Sequence, residues 1–255
     1  MFMEITGNTV LITGGATGIG YALAENLLEK GNQVIICGRR QDKLAEAQQK
    51  HPELHIKVCD VADNTSRNEL LEWVKKNFGD LNLLINNAGI QRDIDFTKGT
   101  ADLLNGESEL RINLEAPIFL TALFIPFLST QRDPAIVNVS SGLGFIPATG
   151  MPIYSLTKAA MHSFSLTLRQ QLTKVGIKVF EAIPPFILDT ELNMEGRAKR
   201  FKGGIKIQTP SSAEFAAAVI SGMQENKYEI GYGTSEDWRK ASRAEQDKIF
   251  EVRNS

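Results

Sequence analysis

The chain has 255 residues, 42% of them hydrophobic, enough to bury one substantial core. A formal net charge of -2 and an isoelectric point near 6.0 exclude the basic excess that holds nucleic acid or an anionic membrane by charge alone. A small molecule is the expected partner, and three histidines at no ligand spacing (His51, His55 and His162) give no reason to expect a metal.

No linker, low-complexity tract or internal repeat divides the sequence, so residues 1–255 read as a single domain. The opening MFMEITGNTVLI has neither a basic n-region nor an apolar h-region, which points to a cytoplasmic chain. Cys37 and Cys59 sit in apolar strand-like runs, as reduced core cysteines do. In chain order, β-branched runs begin at Thr9 (TVLIT), Gln33 (QVIIC), His55 (HIKVC), Asn82 (NLLIN), Ala135 (AIVNVS), Ile177 (IKVFEAI) and Tyr228 (YEIGY). Helical patterns lie between them. GYALAENLLEK sets Leu23, Leu27 and Leu28 on one face, and TSRNELLEWVKKNF opens on Thr65 or Ser66 as a cap. PIFLTALFIPFL, residues 117–128, contains two prolines and falls short of the ~20 residues of a membrane helix, so it reads as a buried helix. Seven runs that are apolar throughout, alternating with helices, imply an α/β fold: a doubly wound, Rossmann-type three-layer sandwich on a seven-stranded parallel sheet. Ligands of such sheets sit beyond the carboxyl ends of the strands.

After the first strand, TGGATGIG (residues 13–20) leads straight into a helix. Glycine lets the backbone approach a pyrophosphate, and the free amides at a helix start stabilise its charge. Gly14, Gly18 and Gly20, with Thr17 and Ile19 between them, therefore form a dinucleotide cradle. The second strand ends VIICGRR, with no acid to meet the ribose hydroxyls of NAD. Gly38 leaves room, and Arg39, with Arg40 beside it, can pair with a 2′-phosphate; this favours NADP(H) and keeps NAD(H) possible. The alternative is that both arginines only solvate a loop.

In PIYSLTK, residues 152–158, Tyr154 and Lys158 stand four apart and so share a helix face. A phenol of pKa ~10 is a poor base at neutral pH, but a neighbouring cation favours the phenolate and lowers that value by about 1 to 3. Such a tyrosine can give a proton to a carbonyl oxygen as hydride reaches the carbon, and take one from an alcohol in reverse. The spacing alone is frequent by chance. Ser141, however, follows the fifth strand 13 residues before Tyr154, where its hydroxyl can hydrogen-bond a substrate carbonyl.

These residues fall in an order that resembles the short-chain dehydrogenase/reductase family over residues 7–190. The shared marks are the glycine motif, CDV at 59–61, NNAG at 86–89, RINL at 111–114, VSS at 139–141 and YSLTK. The resemblance implies Tyr154 as acid/base, Lys158 lowering its pKa and holding the nicotinamide ribose, and Ser141 orienting the reacting oxygen. It implies that Asn113 interrupts its helix to hold a water linking Lys158 to solvent. Asp60 and Val61 would meet adenine, and Asn87, Ala88 and Gly89 would line the cofactor. Asn86 would tie neighbouring strands together, and Ser140, an imperfect rival for Ser141, would rather make a strand-end hydrogen bond.

The sequence departs from the family in two places. IPPFILDT, residues 183–190, has Pro185 where the family has glycine and brings Thr190 one place late, which puts the carboxamide contacts of Ile187 and Thr190 in question. A polar, helical YEIGYGTSEDWRKASRAEQDKIF replaces the family's apolar last strand, so a homodimer through residues 117–128 is favoured over the family's tetramer. VIICGRR, NNAGIQRDIDFTKGT, HSFSLTLRQQL and the double proline resemble more narrowly the DltE-type oxidoreductases, which implies a bacterial cytoplasmic reductase and assigns no substrate.

Residues 189–210 carry Arg197, Lys199, Arg200, Lys202 and Lys206 without regular periodicity, as a substrate lid would; the cluster either recruits an anionic substrate or solvates a loop. Leu143, Phe145, Pro147 and Met151 either wall an apolar pocket for a ketone or aldehyde or pack the core. The implied function is an NADP(H)-dependent carbonyl reductase or alcohol dehydrogenase. One alternative is a catalytically silent dinucleotide-binding redox sensor or scaffold, against which intact Asn113, Ser141, Tyr154 and Lys158 stand. Another is a nucleotide-sugar epimerase or dehydratase, which generally needs more chain than the 65 residues after 190.

Overall fold

Strands without polar alternation can be satisfied only between two layers of helix, and the chain builds that arrangement. The computed structural model describes residues 3–194, 196, 198 and 209–254. Strands β1 (Thr9–Thr13), β2 (Gln33–Gly38), β3 (His55–Val58), β4 (Leu81–Asn86), β5 (Ala135–Val139), β6 (Lys178–Ile183) and β7 (Glu229–Gly231) form one sheet. They run parallel in the order β3-β2-β1-β4-β5-β6-β7. The order reverses between β1 and β4, which opens a crevice above their carboxyl ends.

The helices are α1 (Gly18–Glu29), α2 (Gln41–Lys50), α3 (Asn64–Asn77), the single turn α4 (Ala101–Leu104), α5 (Ala116–Leu128), α6 (Pro152–Leu172), α7 (Ser212–Gln224), α8 (Thr234–Lys240) and α9 (Arg243–Asn254). Successive β1 residues divide between the two layers. Val10 and Ile12 pack with Leu23 and Leu27 of α1 and Phe215 and Val219 of α7, while Leu11 packs with Leu70 and Val74 of α3, Phe124 of α5 and Leu168 of α6. This period of two is what turns one sheet into three layers.

Two expectations are corrected. Helix α3 is capped by neither Thr65 nor Ser66 but by Asp63, whose carboxylate accepts from the Ser66 amide at 2.6 Å; a charged acceptor holds a free amide better than a hydroxyl does. The Ser66 hydroxyl instead accepts from the Asp60 amide at 3.0 Å. Residues 117–128 are not wholly buried: α5 seats Leu120, Phe124 and Leu128 on the sheet and leaves Phe119 51% exposed. With the turn before it, Arg111–Leu128 is long and apolar enough by composition to cross a membrane, yet 44% of it is buried inside the protein. Cys37 and Cys59 are free buried thiols, and Cys37 is held protonated well above the usual thiol range by its hydrogen bond to Cys59 and by burial. Arg197, Lys199, Arg200, Lys202 and Lys206 lie outside the described residues.

Candidate active site

At the end of β1 the backbone turns on Gly14, at φ +63°. A Cβ there would lie 2.9 Å from Ala88 Cα, and one on Gly20 would overlap Asn87 Nδ2 and the Gly14 carbonyl. The loop closes this tightly because the segment after β4 is tied to it. Thr13 Oγ1 accepts from the Asn87 and Ala88 amides, both at 3.0 Å, and Asn87 Nδ2 donates to the Thr13 and Gly14 carbonyls at 3.0 and 3.1 Å. Helix α1 then starts at Gly18 with no side-chain cap from Thr17, so its first amides, Ile19 and Gly20 among them, are served by no capping oxygen and suit an anion.

Thr190 arrives over the same loop. Its methyl would touch a Cβ on Gly18 at 3.1 Å, and its Oγ1 donates to the Ile187 carbonyl at 3.3 Å, with Ile187 buried in the core beneath. The one-place delay therefore leaves Thr190 at the cradle. Pro185 costs the sheet no hydrogen bond, because β6 ends at Ile183.

Arg39 and Arg40 stand beyond β2 at the rim of the cradle, each already engaged. Arg39 grips Glu107, with Nη2 to Oε2 at 3.1 Å. Arg40 pairs with Glu191 at 2.7 Å and donates to Thr17 Oγ1 at 3.3 Å. Neither glutamate was legible as a partner, since 68 and 151 residues separate them from their arginines. Past β3, Asp60 Oδ1 accepts from the Ala62 amide at 2.9 Å beside buried Val61, leaving its second oxygen for another donor.

The catalytic candidates meet at the carboxyl ends of β4 and β5. Helix α6 places Tyr154 and Lys158 one turn apart, 5% and 4% exposed. Lys158 Nζ donates to the Val139 carbonyl at 2.8 Å and lies 5.5 Å from the Tyr154 ring centroid. Burial lowers Lys158 to about 8, with the charge of Glu181 acting against that fall. Ser141 Oγ accepts from the Leu143 amide at 3.1 Å, which orients the hydroxyl and leaves its proton free to donate.

Asn113 lies in a π-helical turn, Arg111–Glu115, the interruption expected of it. Its side chain clamps Ile90, accepting from the amide at 2.8 Å and donating to the carbonyl at 2.7 Å, and reaches Thr157 Oγ1 at 3.4 Å. A Cβ on Gly89 would lie 3.3 Å from Asn113 Oδ1 and 3.8 Å from Lys158 Nζ, so the glycine keeps the space between them open.

Asn86 ties β4 to β5 and α5, donating to Asn138 Oδ1 at 2.9 Å and Thr121 Oγ1 at 3.0 Å. Ser140 makes its strand-end bond through the backbone. Its amide bonds the Ala182 carbonyl at 2.9 Å, while its buried hydroxyl has no partner among the described residues. Of the four expected wall residues, Leu143 and Met151 cluster with Tyr154 and Ala148. Phe145 instead packs on His162, centroids 4.7 Å apart, while Pro147 shares with Leu143 and Ala148 the lining of a cavity of about 390 Å³ that Leu156 and Phe250 complete. Leu192 and Trp238 complete the wall. A lone tryptophan in a polar tail was the available signal for Trp238, but its target could not be read from sequence.

The pattern of the short chain dehydrogenase family matches residues 8–200. An uncharacterised oxidoreductase, DltE of Bacillus subtilis (strain 168), is 49% identical over 253 residues, covering 99% of both chains. Two solved structures share the fold. A short chain dehydrogenase from Burkholderia cenocepacia J2315 in complex with NADP superposes with a TM-score of 0.82 at 23% identity, over 99% of this chain and 100% of that one. One from Burkholderia phymatum in complex with NAD gives 0.81 at 20% identity, over 100% and 98%. A match that runs from β1 past α6, carrying the glycine loop and Tyr154 in one stretch, settles the kinship: the chain belongs to the short-chain dehydrogenase/reductase family of oxidoreductases.

Proposed function

We propose that the chain is an NADP(H)-dependent oxidoreductase that transfers hydride between nicotinamide and a ketone, aldehyde or secondary alcohol, with Tyr154 as the general acid/base. The observation that carries this reading is a buried ammonium held 5.5 Å from a buried phenol, beside a glycine-walled cradle.

A dinucleotide fits the residues present, because a Cβ at Gly14 or Gly20 would close the cradle. Gly14, Thr17, Gly18, Ile19 and Gly20 would hold its pyrophosphate, Asp60 and Val61 the adenine, and Arg39 and Arg40 the 2′-phosphate. Asn87, Ala88 and Gly89 would line its middle, Ile187 and Thr190 the carboxamide, and Lys158 and Tyr154 the nicotinamide ribose. When bound, it supplies or accepts the hydride. A 2′-phosphate would have to displace Glu107 and Glu191 from the two guanidiniums, and its second negative charge favours that exchange. NAD(H), lacking the phosphate, would leave both ion pairs intact.

Tyr154 gives its proton to the substrate oxygen in reduction and receives one in oxidation. Lys158 favours the phenolate by its charge. Ser141 donates its remaining proton to the same oxygen, and Asn113 fixes the Ile90 segment that borders the site. Leu143, Met151, Leu192 and Trp238 exclude water around the phenol, which suits an apolar carbonyl compound. The partly exposed face of α5, with Phe119 outermost, serves as a homodimer contact, and a cytoplasmic setting accords with the free thiols.

NADPH oxidation followed at 340 nm against a panel of ketones, aldehydes and keto esters tests the reading. Tyr154→Phe is expected to lose at least about a hundredfold in kcat, the usual scale for a lost general acid, while still binding NADPH. Turnover that survives the substitution would overturn the assignment.

A further inference from the structure

Tyr154, Lys158 and His162 follow one another at four-residue steps on α6 and form one stripe along it. Strands β5 and β6 run beneath, with Asn138 and Glu181 opposite each other in register. Asn138 Nδ2 donates to Ser165 Oγ of α6 at 3.0 Å, which identifies the strand face turned toward that helix. On this face Glu181 is fully buried. Its Oε2 stands 2.7 Å from His162 Nδ1, and its Oε1 has no protein partner among the described residues. Its neighbours along β6, Val179, Phe180, Ala182 and Ile183, are all apolar and buried, so packing alone gives no reason for a carboxylate here. Lys158 is buried as well, and the Val139 carbonyl that receives its hydrogen bond is neutral.

We propose that Glu181, clamped by His162, is the counter-ion that keeps Lys158 an ammonium beside Tyr154, which makes Glu181 a positioning residue for the proton step. The proposal rests on the acid/base reading of Tyr154. Burial works against the Lys158 charge, and Glu181 is the group whose field works for it. His162 is in turn raised first by its hydrogen bond to Glu181, against its own burial. The other charges facing this histidine are Glu229 of β7, which raises it, and Arg169 of α6, which lowers it. Glu229 is already spent on two arginines, Arg169 at 3.3 Å and Arg239 of α8 at 3.1 Å. Glu181 is therefore the one carboxylate of this group left to answer Lys158.

Glu181→Gln keeps the shape and an acceptor for His162 while removing the charge. Lys158 then sheds its proton at lower pH, and Tyr154 must ionise beside a neutral amine. Phenolate absorbance at 295 nm isolates Tyr154 when each protein is compared with its own Tyr154→Phe form. The Tyr154 midpoint is expected about one pH unit higher in Glu181→Gln, a tenfold change in the ionisation equilibrium, and the acid limb of kcat/KM for alcohol oxidation moves up with it. A downward shift would mean that Glu181 acts on the phenol directly, and no shift with a lowered Tm would reduce it to a structural pair; either overturns the proposal. Glu181→Asp, which retracts the charge by one methylene, is expected to shift the midpoint less and in the same direction, and it carries the test if the glutamine variant does not fold. The absorbance needs no substrate. A shift in a protein that turns over no carbonyl compound would uphold the charge link and refute the reductase reading separately.

Discussion

Gly14→Ala reads the geometry of the cradle most directly. Gly14 sits at φ +63°, where an alanine loses about 1–2 kcal/mol to left-handed strain. Its new methyl would also stand 2.9 Å from Ala88 Cα and 3.2 Å from both the Ala88 nitrogen and Asn87 Nδ2, contacts that force backbone to move. Overpacking of that kind costs about 1–3 kcal/mol more. Gly7→Ala separates the two contributions, since Gly7 has φ +66° but nothing within 4 Å of a Cβ. Thermal denaturation should therefore place Gly14→Ala below Gly7→Ala by about 1–3 kcal/mol, several degrees of Tm in a chain of this size. Displacing residues 87 and 88 also disturbs the amides around the pyrophosphate, so NADPH affinity by fluorescence titration should fall more than about tenfold in Gly14→Ala, equivalent to ~1.4 kcal/mol, and stay unchanged in Gly7→Ala. If the two variants melt together, or Gly14→Ala binds NADPH like the parent, the close approach of the two loops does not form the cradle.

Arg40→Ala removes the guanidinium shared by Glu191 and Thr17, and steady-state kinetics should show KM for NADPH rising about tenfold, on the scale of a lost charge-assisted hydrogen bond, with KM for NADH little changed. Equal changes for both coenzymes would remove the phosphate role. Glu109 is a buried carboxyl, 2% exposed, that accepts from the Arg92 amide at 3.0 Å while its Oε2 finds no partner among the described residues; burial raises it from 4.5 to about 7. Between those values the folded chain holds a proton the unfolded chain has lost, so stability falls as pH rises through the window, by about 3 kcal/mol in all. Glu109→Gln should accordingly be more stable than the parent at pH 8 and gain nothing at pH 4.5, measured by urea denaturation. The same gain at both pH values would refute the cause.

The sheet was legible because its central strands are short apolar runs whose local preference agrees with their buried place, and the glycine loop and the Tyr154–Lys158 pair were legible because each is local, set by spacings of a few residues. What sequence could not supply was contact between distant segments. Arg39 and Arg40 could be placed at the rim, but not their capture by Glu107 and Glu191. His162 showed no ligand spacing, and its partner Glu181 comes 19 residues later on a different element. The wall around Tyr154 was read in part: Leu143 and Met151 join its cluster, while Trp238 arrives from the distant α8. The cap of α3 failed on a finer point, the preference of an amide for a carboxylate two or three residues earlier than the hydroxyls.

Lys158 shows that the most legible residue of the site is also the one that stability alone would not choose. Its folded value of about 8 lies below its ordinary 10.5, so between them the folded chain binds fewer protons than the unfolded one and stability rises with pH. Below pH 8 the buried ammonium weighs against folding by its full amount, about 3 kcal/mol. An apolar side chain of the same length would spare that loss, although it would also take the donor from the Val139 carbonyl. No apolar side chain, however, makes a neighbouring phenol easier to ionise. The rest of the local structure reads as the means of keeping that charge in place: the Val139 carbonyl at 2.8 Å, the opening at Gly89, the Asn113 clamp on Ile90, and Glu181 beneath the helix. All of them sit on or against the strands and turns of the packed parallel core, whose close packing holds the ammonium and the phenol in one arrangement.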